Sequence, residues 1–140
     1  MAVPLTQVAN RAYPRRDTSI PHLLAEITGV DLKTAAVTTL YTVPTGLVAL
    51  WQRILVKPSA AVAVATAPTV SVGINGTYDD VVFPIALTGL TSTSLYWALP
   101  LVAQARVGVA ADLLRLEVDT PATGTSLIAT VYLYGTLVTP

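Results

Sequence analysis

The ionic chemistry open to this chain of 140 residues rests on eight acidic side chains, eight basic ones and one histidine. Asp79 and Asp80 adjoin a turn, while Asp112, Glu117 and Asp119 follow some thirty residues later. Neighbouring residues of a strand point to opposite faces, so Asp79 and Asp80 are not expected to converge on one substrate or one cation. Calcium needs several oxygen ligands gathered in a loop, and the acids lack that spacing. His22 is the single histidine and no Gly-x-Ser-x-Gly elbow accompanies it, which leaves a Ser-His-Asp relay without its usual setting. The reading is a packing or contact residue. There is no cysteine, which removes thiolate ligands, disulfides and cysteine nucleophiles. We therefore expect no catalytic residues, no cofactor and no metal: not an enzyme.

Three further groups of residues suit binding better than catalysis. Asn75-Gly76-Thr77 matches a glycosylation acceptor, but Asn-Gly is also the pair that a tight hairpin turn favours. The start of the chain lacks the basic residues and apolar run of a secretion signal, so the hairpin reading is taken. Arg11, Tyr13, Arg15 and Arg16 form the one basic cluster. With Asp17 beside it and no basic stripe elsewhere, it suits protein contact better than nucleic acid. Trp51, Tyr96, Trp97, Tyr132 and Tyr134 offer aromatic surface. Trp51 and Trp97 are the protein-interface candidates among them; an aromatic platform for sugars is the alternative.

Charge is otherwise withheld. No acid occurs between Asp31 and Asp79, and no charged residue of either sign from Val81 to Ala105. Apolar residues make up 53% of the chain and charged ones 11%, against about 25% charged in ordinary soluble domains. The uncharged stretches 58–78 and 81–105 are long enough for a membrane helix, but Pro68, Gly73, Gly76, Pro84 and Pro100 break them. No membrane is expected. A net charge of zero provides no field to gather nucleic acid and little protection against self-association. A homo-oligomer, or residence in a larger assembly, answers that liability.

These residues must be positioned by strands. Over the first thirty-odd residues Pro4, Pro14 and Pro21 favour an irregular arm, with a short helix possible from Ser19 to Ile27. From Thr34 the period is two. Val70, Val72 and Ile74 oppose Thr69, Ser71 and Gly73; Leu114, Leu116 and Val118 oppose Arg115, Glu117 and Asp119. In the run from Leu47 to Val56 the alternation sets Val48, Leu50, Ile54 and Val56 against Leu47, Ala49, Trp51, Arg53 and Leu55. Less regular strands are expected at 37–43, 81–87, 95–99, 106–109 and 127–138, although 102–116 also fits a helix by propensity. Turn signals at Pro44, Pro58, Asn75-Gly76, Gly89 and Pro121 separate them. The fold class is all-β: one β-sandwich or jelly roll of about eight antiparallel strands over 34–140, with an extended N-terminal arm over 1–33.

Several phrases resemble small β-sandwich virion proteins of tailed bacteriophages. They are Leu40-Tyr-Thr-Val-Pro-Thr-Gly46, Val70-Ser-Val-Gly73, Asp112-Leu-Leu-Arg-Leu-Glu-Val118 and Ala129-Thr-Val-Tyr-Leu-Tyr-Gly135. The resemblance covers 37–138 and is most like a capsid decoration (cement) protein. It implies a structural protein on the capsid surface, made in the host cytoplasm. Its partners would be the major capsid protein or other virion proteins, it would be trimeric, and a terminal arm would extend its contact. The alternative function is a carbohydrate-binding host-recognition module of a tail or fibre.

Overall fold

The computed structural model describes residues 21–60, 64–90 and 92–140. Arg11, Tyr13, Arg15 and Arg16 lie outside the described residues, as does most of the expected arm. Among the described residues there are ten strands and no helix: β1 (His22–Asp31), β2 (Val37–Thr42), β3 (Val48–Pro58), β4 (Val64–Thr66), β5 (Thr69–Ile74), β6 (Val82–Ala86), β7 (Trp97–Leu99), β8 (Leu113–Thr120), β9 (Thr123–Gly124) and β10 (Ile128–Val138).

Eight of them form two four-stranded antiparallel sheets, ordered β1-β10-β3-β7 and β2-β8-β5-β6, while β4 and β9 make a two-stranded appendage. The pairs β1·β10, β2·β8, β3·β7 and β5·β6 fall alternately in one sheet and the other. That is a long antiparallel ribbon folded on itself and wrapped, the connectivity of a jelly roll. The inward faces bring Leu32, Ile54, Ile74, Leu114, Leu116, Leu127 and Leu133 into one fully buried core. Burying each such side chain is worth about 1.5–3 kcal/mol, so the apolar half of each strand is what holds the sheets face to face.

Three expectations change. His22–Asp31 is not the end of an arm or a helix but β1, hydrogen-bonded along β10. Proline and serine at its start resemble helix-start signals, yet a partner strand as long as β10 outweighs one turn of local propensity. β1 accommodates its irregular pattern with two bulges, one holding Gly29 at φ +70°. Within β3 the buried positions are Ala49 and Trp51, then Ile54, Val56 and Pro58. The register opposite β10 steps from Arg53–Tyr134 to Trp51–Gly135, leaving Gln52 as an extra residue that switches the inward face. The region 102–116 is loop followed by β8, and 106–109 contributes a single bridge, Gly108 to Ala49, rather than a strand.

Candidate interaction surface

The polar side chains singled out in the sequence gather at one end of the sandwich and on the outer face of one sheet. At the end, the Asn75-Gly76 turn links β5 to the segment before β6, with Asn75 at φ 57°, a backbone angle that asparagine tolerates better than most residues. The Asn75 Nδ2 donates to Asp112 Oδ1 at 2.9 Å, and its Oδ1 accepts from the Leu113 N–H at 3.0 Å. Asp112 also accepts from the Val109 N–H at 3.0 Å. Asp80 accepts from the Ile74 N–H at 2.9 Å, and Arg106 stands 3.5 Å from Asp80 and 4.0 Å from Asp112. The bonds from Val109 and Asn75 hold the Asp112 carboxyl below its usual range despite burial, with Arg106 adding to them. This is a structural latch joining two loops.

Asp79 and Asp80 diverge. Asp80 enters the latch, while Asp79 borders an open groove of about 350 Å³ on the outer face of the β5–β8 sheet. Ser71, Tyr78, Pro84, Glu117 and Asp119 line it as well. The turn that follows Asn75 folds back over β5, so a Cβ at Gly73 would overlap the Thr77 carbonyl. Ser71 and Gly73, expected on an open face, are therefore covered. Ser71 Oγ donates to Asp119 at 3.2 Å. Burial pushes the Glu117 carboxyl upward, and the neighbouring Asp119 and Asp79 push it further. Gly73 was the sequence signal for this groove: glycine inside a strand marks a close backbone approach.

Trp51 is withdrawn as a surface candidate. It is 8% exposed, packs against Gly108, and meets Tyr41 edge-on with ring centroids 6.3 Å apart. A bulky core ring beside a glycine uses the space that the missing side chain leaves. Trp97 is half-buried against the core. Aromatic exposure lies instead at Phe83 and Tyr96, each 63% exposed. β1 touches β2 at one margin of the sandwich, which leaves β6 and β7 at the other. Val102 N–H bonds the Val81 carbonyl at 2.9 Å, tying the chain after β7 to the start of β6. The uncharged strands β6 and β7 thus form that margin. His22 sits at the start of β1, half-buried, and among the described residues no group of acidic and histidine side chains gathers to hold a metal ion. No helix of the described residues is long and apolar enough to cross a membrane.

No protein-family model matches the chain, and no curated protein matches it. A solved structure does. A chain in the acid-stable capsid structure of Helicobacter pylori bacteriophage KHP30 superposes with a TM-score of 0.55 and 16% identity, over 84% of this chain and 89% of its own. The likeness spans nearly the full length of both and establishes a shared fold.

Proposed function

We propose that this chain is a structural protein of a tailed-phage virion, and within that class a capsid decoration protein that stabilises the head by binding across major capsid subunits. The observation that carries the reading is the near end-to-end fold shared with a chain of a phage capsid structure. The charge-poor surface supports it, because a protein that spends its life packed against others needs little charge to stay dispersed. The residues proposed for contact are Arg11, Tyr13, Arg15 and Arg16, with Trp97 as a partly exposed candidate on the sandwich; self-association as a trimer would multiply weak contacts by avidity. Labelled protein titrated onto intact particles should bind saturably, at a fixed ratio to the major capsid protein, and should raise the temperature at which heads break. Absence of saturable binding would reject the reading.

A carbohydrate-binding role is less well supported. Its best platform residue, Trp51, is in the core.

A further inference from the structure

The outer face of the β1-β10-β3-β7 sheet is one over which no other described strand lies. Ala25 and Ile27 of β1, Val131 and Leu133 of β10, and Ile54 and Val56 of β3 pack inward. Glu26, Tyr132 and Leu55 alternate with them and so point outward, side by side across the three strands. The next outward row holds Leu23, Tyr134 and Arg53. On the other side of the first row, Lys57 lies opposite Thr130. Glu26, Leu23 and Arg53 are exposed, and the two tyrosines with Leu55 are half-buried between them. A stripe of tyrosine and leucine therefore carries an acid along its β1 flank and two cations along its β3 flank. Among the described residues Glu26, Arg53 and Lys57 form no ion pair. Asp31, the second acid of β1, is tied to the Lys33 N–H and the Thr34 hydroxyl.

We propose that this face is a two-fold interface with a second copy of the chain, its axis lying in the plane of contact along β10. Such an axis sets β1 of each copy over β3 of the other. Glu26 then meets the gap between Arg53 and Lys57 of the second copy, because it shares a row with Leu55, which lies between them. Tyr132 and Tyr134 meet their own counterparts along the axis, and tyrosine is among the residues that interface centres favour. An axis running across the strands would instead set β1 on β1 and β3 on β3, like charge on like. The charge pattern selects one orientation. That orientation also keeps the strands of the two copies aligned, as sheets packed face to face require. The area is sufficient. β1, β10 and β3 are ten or eleven residues long, which gives a flat footprint of roughly 500 Å² per copy. A pair buries about 1,000 Å² before side-chain relief is counted, the lower bound for a specific interface. The contact closes with two copies, so a three-fold contact elsewhere on the sandwich would assemble pairs without changing it.

This pairing belongs to the free chain and does not rest on the capsid reading. Sedimentation of the full chain, from low micromolar to about 200 µM, should show monomers passing into an even-numbered species. Glu26→Arg alone, or Arg53→Glu together with Lys57→Glu, should weaken that association at least about tenfold, since like charges then face each other. The variant carrying all three substitutions should pair with itself as the parent does and should fail to pair with the parent, which native mass spectrometry of the mixture reads. All three positions lie on the outer face, so thermal unfolding should stay close to that of the parent and show that each variant is folded. A parent chain that stays monomeric throughout would overturn the proposal. Flank variants that associate as strongly as the parent, or a triple variant that mixes freely with it, would do the same. So would a monomer whose Lys57 is protected from acetylation only when capsid particles are added, which would give the face to the capsid.

Discussion

Gly73 shows how much one absent side chain can decide. The Thr77 carbonyl rests where a Cβ would stand, and backbone cannot rotate away as a flexible side chain can. Gly73→Ala should therefore lift the 76–80 turn and cost about 1–3 kcal/mol, as overpacking does. Urea unfolding measures the loss, and faster exchange at Gly76–Asp79 locates it; unchanged exchange would mean that the turn does not depend on this contact. The alternation of Thr69 to Asn75 correctly places Val70, Val72 and Ile74 inward. It cannot show that Ser71 and Gly73 are roofed as well, because the roof comes from a turn whose path depends on Asp80 and Arg106, the latter 26 residues further along the chain. Trp51 was illegible for a related reason. Its face is set by the extra residue Gln52 in β3, and a bulge is visible only when the partner strand is known.

At the scale of elements, the latch and the sheet margins carry the testable consequences. Asp112→Ala removes the acceptor for the Val109 N–H and the Asn75 amide at a buried position, a loss of about 1–3 kcal/mol. Because the folded-state titration of Asp112 is depressed, its stabilising contribution is present above the ordinary carboxylate range and disappears as pH falls through the depressed value. Glu117 runs the other way: its contribution is complete below its unfolded-state titration and fades as pH rises through the elevated one. Urea titrations across pH should show an acid limb in the parent chain that is shallower in Asp112→Ala. An equally steep limb in both would place acid sensitivity elsewhere. The margin strand β6 carries Pro84, which withholds a hydrogen-bond donor from an edge otherwise free of charge. Pro84→Val should raise the apparent mass by light scattering at matched concentration; no rise would show that the edge is protected by other means. β5 and β8 were readable from period-two alternation, and β2 and β10 as less regular strands between turn signals. β1 was not, since its two bulges interrupt the period and its pairing with β10 spans about a hundred residues.

At the scale of the whole molecule, the described residues form one two-sheet sandwich, and the basic cluster of the sequence lies outside them. The fold class was legible because turn signals and alternation recur at strand spacing, and the same grammar accounts for both four-stranded sheets. The partner was less legible, because an uncharged margin and a basic cluster describe what a surface tolerates and not what touches it. The arm separates these two questions. Every described strand begins at or after His22; if the arm stands apart from the sandwich, replacing Arg11, Arg15 and Arg16 by alanine should change stability by less than about 0.5 kcal/mol, the range of ordinary surface substitutions. If these arginines anchor the chain across capsid subunits, their joint loss should weaken binding to intact particles by at least about tenfold, since buried arginines commonly contribute more than 1 kcal/mol each at interfaces. Thermal unfolding checks the first half and particle occupancy the second. Full occupancy by a stably folded triple variant would assign the contact to the sandwich, with the charge-free β6–β7 margin as the surface to substitute next.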